Sequence, residues 1–543
     1  MLFQTFHNLF DTQDIAIAIP ILFIAALLCS LATKVTFTDA IIKVRGLALQ
    51  LRHTASLLLI RVKVTRQLFR LLSPVHGKQS LPGVPFQWPN GQGTEKFFDG
   101  RNAARRWRSQ YGSIYYIWSG FKREIVLTKP AHIQAFYRDS HAHIKSSDNN
   151  AGWLFAELLG ECVGVVSQRR WKRVRRHFEG HFTRPVSINR IDQFISDAGE
   201  FLQPLNSSKG TFLIDPANDL KFCPFFMVAS IFFGRLTPDQ RKKLSHLGPP
   251  REELFRETFM GGINRFKITK YFPGSAITRL RAFQKGWEDF VRDAAERAPL
   301  QGNGAIVSLW KAVQMNELTM LELLQTLDES LFANLDVTTH AVAWNLLRLS
   351  QHTDIQQKVH LEIQPYVTER QSYEEYLRTA MQAFGNFPRS DTHNVAFSNP
   401  ESAEDNKMID GYIIPQKTDV IVDAYAINVE NPYWENAQDY DPWRHLGQKD
   451  QVTAKPSVPI LGANADASNP QARRHNIWRF GFGPRQCLGK HVADIIIRVI
   501  MAELLTNYQL KLAQEEGTDF VKLQADSWIG LPNAKVQLVP RAR

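Results

Sequence analysis

The stretch Arg479–Lys490, RFGFGPRQCLGK, constrains the fold more than any other part of the chain. Three glycines and a proline exclude regular helix or strand through it and leave a turn that a large flat ligand can approach closely. Cys487 stands near the end of that turn, just before an apolar run with helical spacing at 490–507. A thiolate at a helix entrance is favoured by the N-terminal dipole and by N–H groups that point at it. A lone cysteine is more often a buried structural thiol, so the loop needs support from elsewhere in the chain. His491, four residues beyond Cys487, suggests a metal pair, but no further ligand accompanies it. The four cysteines, Cys29, Cys162, Cys223 and Cys487, include no CxxC pair, which argues against a disulfide framework or a clustered zinc site. Reduced thiols fit a cytosol-facing chain.

The pattern Phe480, Gly481, Gly483, Arg485, Cys487, Gly489 resembles the haem-binding loop of the cytochrome P450 superfamily. The resemblance implies haem b, iron protoporphyrin IX, with Cys487 as the axial thiolate ligand of the iron. It further implies that Arg485 pairs with a haem propionate, that Phe480 shields the sulfur, and that Gly483 and Gly489 make room for the macrocycle. A thiolate pushes electron density onto iron and favours O–O cleavage, which suits oxygen chemistry.

Three further stretches carry the same resemblance. In RRWKRVRRHF, residues 169–178, Trp171 and Arg175 lie four apart and share a helix face. In the family such a pair binds a haem propionate, and the outward Arg169, Lys172, Arg173 and Arg176 would attract an NADPH-dependent flavoprotein reductase. In LFANLDVTTHAVAW, residues 331–344, polar Asn334, Asp336, Thr338 and Thr339 interrupt an apolar helix over 316–350, for which Asn316 is the expected cap. This resembles the family's central helix above haem, with Asn334 in place of the usual glycine and Val337 in place of the proton-relaying threonine. Asp336 and Thr338 are the candidate proton-handling residues, the second if the helix bulges there; the bland alternative is that Thr338 and Thr339 only bond back to the preceding turn. INVENPYWENAQDYDPWRHL, residues 427–446, resembles the family's meander, in which Arg444 would lock an ion network below the haem.

One family mark is missing or displaced: either Glu375 and Arg378 serve in its place through an unusual loop, or a segment of the gene has been lost or misread. A Glu-x-x-Arg is expected near residue 387, where the chain reads NFPRSDTHN; Glu375 with Arg378 lies too early and Glu253 with Arg256 much too early. An Arg444 buried without its carboxylate would cost several kcal/mol, so weaker haem retention is expected.

Residues 15–33 hold no charge over 19 positions, enough as a helix for roughly 28 Å, the thickness of a bilayer core. Residues 34–78 carry nine Lys/Arg against Asp39 alone, which is +8 of the +12 net charge. By the positive-inside rule the bulk of the chain then faces the cytoplasm. The basic balance is thus a membrane-surface feature, with ASLLLI at 55–60 an interfacial helix, and no nucleic-acid partner is expected. The reading divides the chain into a short lumenal N-terminus (1–14), an anchor (15–33), a basic linker (34–80) and a catalytic domain (81–543). Residues 450–475 read as an inserted surface loop, and 408–425 as short strands.

The expected fold class is mainly α with small β-sheets, the haem-thiolate fold of the family, plus one N-terminal transmembrane helix. The implied reaction is insertion of one oxygen atom into a small apolar organic substrate, at the endoplasmic reticulum membrane with the catalytic domain cytoplasmic. Phe332, Ala333, Asp336, Phe397, Trp528 and Ile529 are the expected pocket lining. The central helix also looks like that of fungal tailoring oxidases of secondary metabolism, including those acting on diketopiperazines. Two other readings stay open: a haem-thiolate isomerase or peroxide-dependent oxidase needing no proton relay, and a non-catalytic haem binder or defective gene product.

Overall fold

The computed structural model describes residues 81–206, 210–271, 274–301, 304–379, 396–434, 436, 439–440, 475–513 and 522–541. The uncharged stretch 15–33, the basic segment 34–80, the locus around residue 387, Arg444 and positions 450–474 lie outside these. The described residues belong to one unit, Val75–Arg543.

Strands are β1 (Ile114–Ser119), β2 (Lys122–Leu127), β3 (Ile144–Lys145), β4 (Phe212–Ile214), β5 (Glu401–Ser402), β6 (Lys407–Ile409), β7 (Tyr412–Ile414), β8 (Asp419–Val422), β9 (Tyr508–Ala513) and β10 (Lys535–Pro540). They form a sheet ordered β1-β2-β8-β5-β3, a second ordered β4-β10-β9, and the hairpin β6-β7. In the first sheet β2 and β8 run parallel, with Val126 opposite Ile421, and the other pairs are antiparallel. Side chains alternate faces along a strand, so Ile125, Leu127, Val420 and Val422 enter one apolar cluster while Val126 and Ile421 enter another. The sheet is therefore covered on both sides. The strand-like reading of 408–425 is resolved into part of β6, β7 and β8.

The helices that build the site are α1 (Gln168–Glu179), α2 (Phe222–Phe233), α3 (Pro238–Met260), α4 (Ser275–Gln301), α5 (Met320–Ala333), α6 (Thr339–Gln351), α7 (Arg370–Thr379) and α8 (Lys490–Asn507). The fold is thus mostly helical with small sheets, and none of the described helices is long and apolar enough to cross a membrane. The sequence of α2, FCPFFMVASIFF, is apolar all round and is buried on nearly every side, as such a helix must be.

The longest helical run joins α5 to α6 through a π-turn at Asn334–Thr338. Its start is set by a reciprocal cap: the Thr319 hydroxyl accepts the Glu322 N–H at 3.1 Å, and the Glu322 carboxylate accepts the Thr319 N–H at 2.9 Å. This corrects the expectation that Asn316 caps the helix. Asn316 takes a φ of 57° in the turn before, a conformation that asparagine tolerates better than most residues. The run packs against α2, α4 and α8, and around it lies the main apolar core.

Candidate active site

After residue 475 the chain is propped by the first half of the meander segment. Asn428 donates to the Trp478 carbonyl at 2.8 Å and accepts the Trp478 N–H at 2.7 Å, and the Trp434 indole donates to the Asn476 carbonyl at 2.7 Å. Trp478 and Phe482 then anchor the turn against Tyr137. Beyond this anchor a short 3-10 turn at Gly483–Arg485 brings the chain round, and the Cys487 N–H closes it by donating to the Phe480 carbonyl at 2.9 Å.

Cys487 lies two residues before the N-cap of α8, and its side chain is exposed although protein surrounds it. A thiol that is both enclosed and accessible lines an internal cleft. Burial pushes this thiol above its usual range, while the Gly489 N–H, Arg175 and Lys490 pull it down. A Cβ at Gly489 would meet only the Cys487 sulfur, at 4.0 Å, so the backbone beside the thiol is clear. Gly483 is different. Its φ is +72°, and a Cβ there would run into the hydroxyl of Ser140. Within the described residues its lack of a side chain serves the packing of Ser140. Phe480 acts on the sulfur loop through its carbonyl, with the Arg479 guanidinium 4.5 Å from its ring centre.

The structure brings Trp171, Arg175 and Arg485 together beside this loop. Trp171 is buried on α1, with the Arg175 and Arg485 guanidiniums 5.4 and 5.1 Å from its ring. Arg175 donates to the Gln486 carbonyl at 3.1 Å, while Arg485 donates to the Val166 carbonyl at 2.7 Å and the Gly164 carbonyl at 3.3 Å. Burial lowers the Arg485 pKa to about 10. Arg169, Lys172 and Arg176 are exposed, but Arg173 is not the free surface charge expected: it bonds the Glu322 carboxylate at 2.6 Å and the Glu317 carbonyl at 2.8 Å.

On the central run, the π-turn decides which side chains reach open space. Asn334 donates to the Ser330 carbonyl at 2.7 Å and accepts the Thr338 hydroxyl at 2.6 Å; the Thr339 hydroxyl donates to the Asn334 carbonyl at 3.0 Å. Thr338 is buried and committed to Asn334, so the expectation that a bulge turns its hydroxyl toward substrate is not met. Val337 is instead 42% exposed, inside a helix whose other neighbours are mostly buried. Asp336 accepts the Trp528 indole N–H at 2.9 Å. Burial raises the Asp336 pKa to about 6, with the Trp528 hydrogen bond opposing.

Several expected pocket residues belong to the core. Phe332 packs among Phe225, Phe283 and Trp287, Phe397 against Trp107, and Ile529 with Ala217 and Ala343. Apolarity marked them, but apolar residues of cores and pockets look alike in sequence. Arg378 lies 3.8 Å from Glu374 rather than pairing with Glu375, and Arg256 pairs with Glu253 on α3 at 2.7 Å. Neither forms the buried pair expected near residue 387. Two residues went unnoticed in the sequence: Glu329, one helical turn before Ala333, and Ser140, whose contact with Gly483 spans most of the chain.

These residues suit a flat, anionic, thiolate-bound group. The thiol is accessible from an enclosed cleft, the backbone at Gly489 is clear, and two guanidiniums flank an indole, Arg485 bonded mainly to backbone carbonyls and Arg175 to the Gln486 carbonyl and, at 3.2 Å, to the Glu179 carboxylate. Haem with its two propionates has that chemistry; Cys487 would be its ligand, and Arg485, Arg175 and Trp171 would hold its propionates. Among the described residues no cluster of His, Cys, Asp or Glu offers a rival metal site.

A sequence profile of the cytochrome P450 family matches residues 94–539. The chain is 58% identical over 466 residues to the cytochrome P450 monooxygenase verC of Clonostachys rogersoniana, covering 85% of this chain and 89% of that one. It is 43% identical over 495 residues to the cytochrome P450 monooxygenase gliC of Aspergillus fumigatus, covering 86% and 90%, and 36% identical over 489 residues to aclC of Aspergillus oryzae, covering 89% and 96%.

Proposed function

Since the chain belongs to the cytochrome P450 family, we propose that it is a haem-thiolate monooxygenase that inserts one oxygen atom into a small apolar substrate in fungal secondary metabolism. A substrate of the diketopiperazine type is the narrower form of the reading. The observation that carries it is the convergence of Cys487 with Trp171, Arg175 and Arg485 around one cleft. When bound there as haem b, the iron centre supplies dioxygen activation, using electrons from NADPH through a flavoprotein reductase.

The chain's own residues then divide the work. Cys487 supplies the ligand, held by the Phe480 carbonyl and the Gly489 N–H. Arg485 and Arg175 would hold the negative charge of the cofactor's carboxylates. Asp336, poised near neutrality, takes up and releases protons, and the Trp528 N–H holds its carboxylate in place. Val337 presents methyl groups only, so the proton path runs through Asp336 and water rather than through a side-chain hydroxyl at 337.

The uncharged stretch 15–33 serves as a single-pass anchor in the endoplasmic reticulum membrane, with the catalytic domain cytoplasmic; sedimentation of the full chain with membranes after alkaline washing tests it. The test of the chemistry is a reduced, carbon monoxide difference spectrum that shows the thiolate signature and loses it in Cys487→Ser, followed by NADPH- and reductase-dependent product formation. Val337 also supports a second reading, an isomerase or peroxide-using enzyme, for which product would form without NADPH. Absence of the thiolate signature in the unaltered protein would overturn both.

A further inference from the structure

On the central run, Glu329, Ala333, Val337 and Ala341 recur every four residues and form one stripe. All four are at least partly accessible, whereas most of the run is buried. The stripe therefore lines internal space. Glu329 is felt electrostatically at both Cys487 and Arg485, which places this space beside the cysteine loop.

A carboxyl group on an apolar stripe is expensive unless its lone pairs are used. Glu329 uses some of them. Its Oε2 accepts the Gly164 N–H at 3.0 Å, and the Cys162 thiol, kept protonated by burial, donates to the same carboxylate. A side chain at Gly164 would collide with the Glu329 carboxylate, so the backbone has been brought as close as it can come. The side chain is thus held from two directions while its surface along the stripe stays open. A carboxylate offers about four acceptor sites, and two remain. Neighbouring Asp328 does not share the role, because it is turned away into an ion pair with Arg251 at 2.7 Å.

Resting on the monooxygenase reading above, we propose that Glu329 is the substrate-orienting acceptor of the cleft, taking a hydrogen bond from an amide N–H of an otherwise apolar substrate. A neutral N–H fits better than an ammonium, because Arg485 lies close by and a buried cation would have to be desolvated beside it. The consequence is selectivity. A substrate whose amide nitrogen is alkylated loses the bond and leaves the Glu329 acceptor without a partner.

The experiment uses the holoenzyme and the cyclic dipeptide of two phenylalanines, with its N,N′-dimethyl analogue, each titrated by the shift in haem absorption. The expected result is that the N–H probe binds at least about tenfold more tightly, about 1.4 kcal/mol. In Glu329→Gln the amide carbonyl keeps the Gly164 bond and turns its NH2 toward the cleft, where donor meets donor, so the preference should vanish. Glu329→Leu should abolish it too; the isosteric Gln variant is the decisive one if the Leu variant loads haem poorly. Equal affinities in the unaltered enzyme, no binding of the N–H probe, or a preference that survives in Glu329→Gln, which would make it steric, each overturns the proposal. The carbon monoxide signature of the same samples separates these outcomes from failure of the monooxygenase reading, which would remove the signature itself and this proposal with it.

Discussion

Replacing Gly483 by alanine tests the most closely packed point of the cysteine loop. The backbone there has a φ of +72°, a region that costs an L-residue about 1–2 kcal/mol. The new Cβ would also overlap the Ser140 hydroxyl and sit 3.1 Å from the Ser140 Cβ, an overpacking strain of about 1–3 kcal/mol. The sum is about 2–5 kcal/mol, a large share of the stability of an ordinary domain. Because the second part arises only where both side chains are present, Ser140→Gly should recover it and leave the backbone part. The assay is a double-mutant cycle read by denaturant unfolding and by haem retained after gel filtration. The expected coupling is about 1–3 kcal/mol, and haem loss should run in the same order, worst in Gly483→Ala and partly restored in the double variant. Additivity within about 0.5 kcal/mol would refute the reasoning, since it would mean that Ser140 does not press on Gly483 in the folded protein.

The central run supplies three other expected outcomes. Asp336 has its folded pKa raised from 3.8 to about 6, so its contribution to stability is full below pH 4 and is lost as pH rises through 6. Asp336→Asn, which does not titrate, should therefore gain on the unaltered protein by up to about 3 kcal/mol between pH 4 and pH 7.5 in denaturant unfolding, while product formation falls. Trp528→Phe keeps the packing against Phe255 and Phe259 but removes the donor to Asp336; product formed per NADPH consumed should drop several-fold with the carbon monoxide spectrum unchanged. Val337→Thr adds a hydroxyl at a position 42% exposed, so unfolding should shift by less than about 0.5 kcal/mol, and peroxide released per turnover should fall as a second proton donor becomes available.

The cysteine turn was legible because it is local: the glycines, proline, Arg485 and Cys487 fall within a dozen residues whose spacing survives any arrangement of the rest. The pairing of Trp171 with Arg175 was legible for the same reason, as both lie on one turn of helix. Pocket lining was not. Phe332 and Phe397 are apolar enough for either a core or a cleft, and only their neighbours Trp287 and Trp107 tell which. Arg173 looked like one more surface charge in a basic run, and its engagement with Glu322 depends on α1 meeting the start of α5 across nearly 150 residues.

By itself the chain's order of residues determined the glycine-rich cysteine turn, the paired cations near it and the helical periodicity on both sides, all matters of spacing along the backbone. Only the tertiary structure decided what looks into the cleft. In the π-turn at Asn334–Thr338 an extra residue is accommodated in the ladder, and each residue added to a helix rotates the remainder of that helix by about 100°. That rotation, together with the Asn334 clasp on Thr338, puts the methyl groups of Val337 in open space, turns the Thr338 hydroxyl inward and hands Asp336 to a tryptophan from the far end of the chain. The same holds for Glu329, whose partners Cys162 and Gly164 come from a turn more than 160 residues away. Its acidity is written in the sequence, but its place on the wall of the cleft exists only once the helices have packed.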